Sequence, residues 1–172
     1  LGIPAEPLFR SSYEKYGEEE GKRKYKERLE KSARNSYKTA CANNVSKQQL
    51  ELYNYLVESD KNTKFILEEV FLNRIVDIYD KTNNVLIEFF GDFWHTNPSI
   101  YRKDYFHPYK EKTTEEIIKL DKDRLDRLII ETNANVIVVW EKSYNSIDKT
   151  ELINTINNFR YNKDLKRTIL WI

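Results

Sequence analysis

Two carboxylates stand inside β-rich runs, where an acid needs a reason to be. Asp77 lies in Arg74-Ile75-Val76-Asp77-Ile78-Tyr79 and Glu88 in Val85-Leu86-Ile87-Glu88-Phe89-Phe90. On neighbouring hairpin strands the two could hold Mg²⁺, which takes hard oxygen ligands. On a one-sided antiparallel sheet each would instead point to solvent, the default for an isolated acid in a strand. Gly91-Asp92-Phe93-Trp94-His95-Thr96-Asn97-Pro98 follows the second run directly, and it sets His95, one of two histidines, where a strand edge meets a loop. Histidine is the usual general base near neutral pH, although a lone one is more often a packing or surface group. Phe93 and Trp94 beside it are either core plugs or surfaces on which bases stack.

These groups need elements to hold them. Phe65 to Phe71, Arg74 to Tyr79 and Val85 to Phe90 read as strands, the last two joined as a hairpin by Asp80-Lys81-Thr82-Asn83-Asn84. Before them, Ser46 caps a helix with Gln49 at the capping-box position, and Leu50, Leu52, Tyr53, Leu56 and Val57 form its apolar stripe. Residues 91–112 are irregular, aromatic and hold both histidines. Thr113 or Thr114 caps a long helix to about Thr132. Val136 to Trp140 is a continuous apolar strand, buried on both faces. Ser146 or Asp148 opens a last helix to Phe159, and Thr168 to Ile172 is a final strand. The chain has no repeats or low-complexity tracts. The order α-β-β-β-α-β-α predicts an α/β layer fold with a mixed central sheet flanked by helices.

Ahead of this lies a different composition. Residues 1–10 carry two prolines and read as an extended leader. Residues 12–35 are helical in pattern, with Ser11 or Ser12 as cap and Gly17 and Gly21 as points of division; residues 35–45 read as a linker. Between residues 22 and 38 stand Lys22, Arg23, Lys24, Lys26, Arg28, Lys31, Arg34 and Lys38, against only Glu27 and Glu30. The chain's net charge of +1 therefore hides a basic arm beside a near-neutral remainder. That is a common footprint of polyanion binding, and equally of a solvated helix.

Composition sets the outer bounds. In 172 residues, 33% charged and 40% apolar, there is room for one domain with an appendage or for two very small domains. No apolar run approaches the ~20 residues of a membrane-spanning helix. Cys41 is the only cysteine, which excludes an internal disulfide and a cysteine-based zinc cluster. No signal peptide is visible, so a reducing cytosol is expected. The chain has no methionine and opens on Leu1, which reads as a piece of something longer.

The stretch from Val76-Asp77 through Gly91-x-Phe93-Trp94-His95 resembles the very-short-patch-repair mismatch endonucleases. So do Asp121-Lys122-Asp123-Arg124-Leu125-Asp126-Arg127-Leu128 and Val136-Ile137-Val138-Val139-Trp140-Glu141 further on. The likeness is closer still to their phage-encoded relatives, the EDxHD homing endonucleases. Both groups belong to the PD-(D/E)XK nuclease superfamily. The resemblance covers roughly residues 46–141 and extends towards 160.

Carried over by position, the resemblance implies that Glu51 is the motif's Glu, Asp77 its metal-binding Asp, His95 the general base and Asp121 the acid that orients it. The variable position falls near Phe89, whose backbone carbonyl would ligate metal. Glu88, in the spacing Asp77-x₁₀-Glu88, would be the superfamily's second carboxylate ligand. Phe90 then occupies the superfamily's lysine position, which excludes a lysine-dependent mechanism and leaves the role to His95. The repair enzymes' structural zinc would have its ligands at Asp92, Asn97, Ser99 and Lys142. None of these is a soft ligand, so no structural zinc is expected, and Pro98, Tyr101, Tyr105 and Phe106 could plug the loop instead. In the repair enzymes the aromatics before the base wedge between base pairs. Because neighbours leaving a strand point opposite ways, Trp94 is expected to plug the core and Phe93 to enter DNA. Asp123, Asp126, Arg124 and Arg127 are expected to be ordinary solvated or paired charges.

The expectation is a site-specific DNA endonuclease of the homing type that depends on Mg²⁺, with Mn²⁺ able to substitute. The alternatives are a mismatch nickase and a DNA-binding module without activity. Residues 1–45 would be a DNA-contacting arm and linker and residues 46–172 the nuclease domain. DNA would be met by Phe93, Trp94, Lys22, Arg23, Lys24, Lys26 and Arg28, the arm touching backbone. The expected partner is double-stranded DNA and no membrane, with a second copy of the chain or a further DNA-binding region outside these residues. The expected setting is the cytoplasm of a bacterial cell, under a phage-encoded gene.

Overall fold

Gly17 divides the N-terminal helical segment: its φ of +77° lies in the left-handed region that glycine enters freely, and α1 (Glu18–Cys41) begins directly after it. A computed structural model of the chain describes residues 15–41, 45–71 and 74–172. The leader expected at 1–10 and the cap at Ser11 or Ser12 lie outside them. α1 opens on Glu18, Glu19 and Glu20, the arrangement its macrodipole favours. It runs on to Cys41, through much of the expected linker, since residues 35–41 contain no glycine or proline to stop it. The chain divides into two compact units, residues 1–44 and residues 45–172.

The second unit is a mixed α/β fold. Its elements in chain order are α2 (Lys47–Ser59), β1 (Phe65–Phe71), β2 (Arg74–Asp80), β3 (Val85–Phe90), β4 (Phe106–His107), β5 (Lys112–Thr113), α3 (Thr114–Thr132), β6 (Asn135–Trp140), α4 (Glu141–Ser146), α5 (Lys149–Tyr161) and β7 (Ile169–Trp171). Five strands form one sheet in the order β1-β2-β3-β6-β7. The first three are an antiparallel meander, while β3, β6 and β7 run parallel. β4 and β5 form a separate two-stranded hairpin, so residues 91–112 are less irregular than the sequence implied. A short helix, α4, also follows β6 without an interval.

Both faces of the sheet are covered, which is why β6 reads as an unbroken apolar run. Leu52 and Leu56 of α2 pack with Ile78, Ile87, Val139 and Ile156 on one face. On the other, Leu125 and Leu128 of α3 pack with Leu86, Phe90 and Val136. Leu50 and Val57, expected in the α2 stripe, are exposed. Ser46 caps α2 by accepting from the Gln49 N–H at 3.1 Å. A complete Thr113–Glu116 capping box opens α3, and Asn133 in left-handed conformation closes it. No helix among the described residues is long and apolar enough to cross a membrane.

Away from these faces, the buried Arg160 of α5 ties two turns together. It donates to Asp80 Oδ2 at 2.7 Å, Thr63 Oγ1 at 3.0 Å and Asp60 Oδ2 at 3.2 Å. The hydroxyls of Thr63 and Tyr161, with Arg160, hold the Asp60 carboxyl far below the usual carboxylate range.

The sheet is irregular at one place. Pairing of β2 with β3 runs Asp80↔Val85, Tyr79↔Leu86, Ile78↔Ile87 and stops. On the other side of β2, the ladder with β1 skips Glu68, which has a φ of +53° and lies opposite Asp77. Val76 and Ile78 would share a face on a regular strand, yet they enter opposite cores. The backbone therefore swivels at Asp77.

Candidate active site

The swivel frees the Asp77 side chain from the alternation of the strand. Its carboxylate reaches across the gap where the ladder has ended and accepts the Phe89 N–H at 2.7 Å, a donor that the ladder has left unused. Asp77 is half-buried. Burial first, and then the Glu88 charge, raise its carboxyl well above the ordinary carboxylate range, against the opposing pull of the Phe89 N–H and Arg124.

Glu88 is buried, on the α3 face, and does not point to solvent. Arg124 Nη1 donates to its Oε1 at 2.9 Å. Burial opposes the Arg124 charge, and Glu88 more than offsets it, so the guanidinium pKa is raised. Arg124 is thus a paired charge, as one of the two expectations had it, but half-buried and not at the surface, and it neutralises the carboxylate expected to ligate metal. The residue follows Asp121 by three positions, and that helical spacing was the available sign that the two share a face.

The loop after β3 is one helical turn. His95 N–H donates to Gly91 O at 3.0 Å, Thr96 N–H to Phe93 O at 3.2 Å and Asn97 N–H to Asp92 O at 2.9 Å. The last two bonds with the left-handed Thr96 (φ +46°) form a Schellman closure, with a threonine where glycine is usual. His95 is therefore delivered from a helical turn. Its Nδ1–H donates to Asp121 Oδ2 at 2.8 Å, since a carboxylate only accepts, and Nε2 is left as an acceptor. Its ring lies on Phe90, with centroids 3.8 Å apart and planes 9° apart. Phe90, where the resemblance would put a lysine, thus serves as a platform for the histidine.

Because the loop is helical, the strand argument for Phe93 and Trp94 fails. Trp94 is the exposed one, at 53%, so it does not plug the core. Phe93 is half-buried, with its ring 4.4 Å from that of His107. His107 is fully buried; its Nδ1 accepts the N–H groups of Tyr109 and Lys110, and its Nε2 has no hydrogen-bond partner among the described residues. Tyr109, 75% exposed and 5.8 Å from Trp94, extends the aromatic surface. The sequence carried no sign of this partnership, which depends on the β4–β5 hairpin folding back on the loop. Phe106 is exposed and joins no plug, whereas Tyr101 and Tyr105 do meet, at 4.7 Å.

The four positions where the resemblance would put zinc ligands are joined by hydrogen bonds. Asn97 Nδ2 donates to Asp92 Oδ1 at 2.6 Å, Ser99 N–H to Asn97 Oδ1 at 2.9 Å and Lys142 Nζ to Ser99 Oγ at 3.3 Å. Glu141 joins them by accepting the Asp92 N–H at 3.1 Å and Gln48 Nε2 at 3.4 Å. Glu51 accepts from the Tyr144 hydroxyl at 3.2 Å, and Tyr144 meets Phe89 edge-on at 5.4 Å. Among the described residues, Glu51 makes no hydrogen bond to Asp77, His95 or Asp121. Burial, and then the Glu51 charge, raise the Tyr144 phenol pKa.

For a divalent cation the expected donors would be hard oxygens: Asp77 and the Phe89 carbonyl, with Glu88 behind its ion pair. A carboxyl raised by burial and by a second carboxylate is one that a cation would restore to its charged form. Among the described residues no three His, Cys, Asp or Glu side chains form a group that could hold a metal ion. So few protein donors would suit only an ion that keeps several of its waters, as Mg²⁺ does.

In the arm, Lys22 pairs with Glu18 and Glu19, Arg23 with Glu20 and Glu27, and Lys24 with Glu20 and Glu27. These exposed pairs are weak and screened by salt, so the cations stay available to a polyanion. Lys26 and Arg28 are exposed on the same helix.

Compared with protein-family models, curated proteins and solved structures, the chain matches none of them.

Proposed function

We propose that this chain is a Mg²⁺-dependent, site-specific DNA endonuclease of the EDxHD homing kind, built on a PD-(D/E)XK-type sheet. The observation that carries the reading is the His95–Asp121 pair, 2.8 Å apart and set on Phe90, at the end of the strand whose Phe89 N–H binds Asp77. Phosphodiester hydrolysis needs an attacking water, neutralised charge at phosphorus and a stabilised leaving oxygen. With Nδ1–H committed to Asp121, Nε2 of neutral His95 takes the proton of the water. Asp121 keeps that tautomer in place and stabilises the imidazolium that follows. Phe90 fixes the plane of the ring. Asp77 and the Phe89 carbonyl would hold Mg²⁺, whose contribution is Lewis-acid charge for the phosphate oxygens. Arg124 removes the repulsion that Glu88 would otherwise exert on the incoming phosphate. Trp94 and Tyr109 offer the exposed aromatic surface for bases.

The test is cleavage of a supercoiled plasmid library with Mg²⁺. Discrete cuts are expected, and EDTA, Asp77→Ala and His95→Ala should each abolish them while circular dichroism shows a retained fold. Near-wild-type turnover in either variant, or bound DNA that the wild type never cuts, would remove the reading.

A further inference from the structure

A cavity of about 280 Å³ opens at the carboxyl ends of the parallel strands β3, β6 and β7, where open α/β sheets bind their ligands. Trp140 and Trp171 wall it with aromatic surface beside the buried Phe90, and His95, Asp121 and Lys122 stand around it. We propose that this cavity receives one nucleobase unstacked from the DNA beside the phosphate under attack, with Lys122 meeting that nucleotide's phosphate. The inference rests on the nuclease reading and adds to it a base-binding site.

Position, lining and charge argue for it together. The ring of His95 is itself a wall, so an occupant of the cavity lies within one nucleotide of the phosphate on which His95 acts. Trp171 is 39% exposed on the edge strand β7, and Trp140 lies 25° from parallel to it with centroids 6.3 Å apart. Broad π-faces of this kind hold any base without reading its sequence, and covering them removes apolar area from water. The volume falls just short of the ~300 Å³ at which cavities for larger ligands begin, and so suits a single ring system. Charge selects further: the Asp121 carboxylate in the wall repels an anion from the interior but admits a neutral base. Lys122 is exposed, with no ion-pair partner among the described residues, and supplies the phosphate contact. Trp94, on the same loop as His95, provides the wedge that loosens the stack, and the cavity then accepts what has been loosened.

The probe is 2-aminopurine deoxyriboside 5′-monophosphate, whose fluorescence falls when the ring stacks, titrated against the whole chain without divalent metal. Saturable quenching in the millimolar range is expected. dTMP should compete, whereas deoxyribose 5-phosphate, which has no base, should not. Trp171→Ala and Lys122→Ala should each weaken binding about fivefold or more, and Tyr55→Ala, which removes an exposed ring on α2, should leave it unchanged. Lys122 is an exposed helix residue, so its variant keeps the result readable even if Trp171→Ala fails to fold. Absence of saturable quenching overturns the proposal, as does a quenching midpoint that Lys122→Ala leaves unchanged, or quenching that disappears with Trp94→Ala alone. The plasmid assay judges the nuclease reading separately. Quenching without cleavage supports the cavity and retires the nuclease, and cleavage without quenching retires the cavity alone.

Discussion

His95 is positioned by three different contacts: a hydrogen bond to Asp121, a stacked Phe90 and a backbone bond to Gly91. Next to it, Phe93 and Trp94 have divided their work by burial. Trp94→Ala removes an exposed ring and should change stability by no more than about 0.5 kcal/mol. It should nevertheless reduce both cleavage and the DNA distortion reported by a base analogue at the cut. Phe93→Ala strips the contact with buried His107 and should cost about 1–3 kcal/mol in thermal denaturation. Equal stability losses for the two variants, with distortion unchanged, would show that neither ring touches DNA.

At the scale of elements, α3 supplies both the acid behind the histidine and the cation over Glu88. Arg124→Ala leaves a buried carboxylate without its partner, at a cost of about 3–5 kcal/mol. Adding Glu88→Gln should return part of that loss, so urea unfolding of the singles and the double should be strongly non-additive; simple additivity would contradict the pairing. The loop after β3 is held by its own polar side chains. Asn97→Ala breaks the bonds to Asp92 and Ser99 and should cost about 1–3 kcal/mol, with faster amide exchange at Asn97 and Ser99 than in the sheet. Unchanged exchange there would mean that the loop is held by its backbone alone.

At the scale of the whole molecule, charge bears on the acid limit of stability and, on the proposed reading, on affinity for DNA. Asp60 has a depressed carboxyl pKa in the fold, so its stabilising effect is complete above its unfolded value of about 3.9 and is lost as the pH falls through and below that. Melting temperature should therefore drop between about pH 5 and pH 3. Asp60→Asn should be less stable at neutral pH but show a shallower drop, and parallel curves would refute the assignment. In the arm, reversing the charge of Lys22, Lys24 and Lys26 should weaken DNA binding almost equally for all sequences and flatten its salt dependence. A changed base preference with the same salt slope would contradict backbone contact.

Where local chemistry decides, the sequence was sufficient. Ser46 and Thr113 capped their helices, the three strands fell where β-branched residues cluster, and β6 was buried on both faces as its apolar run required. His95 and Asp121, distant in the chain, were paired in advance only through the resemblance. What the tertiary structure alone decided is the direction of side chains wherever the backbone departs from a regular period. The swivel at Asp77 turns that carboxylate towards Phe89, and one helical turn after β3 exposes Trp94 while Phe93 settles against His107. Arg124 became a partner of Glu88 because α3 crosses the face into which Glu88 points. Period and propensity are local quantities, so they mark which residues share an element. Which groups meet across elements depends on packing, and packing exists only once the sheet and its helices have closed on one another.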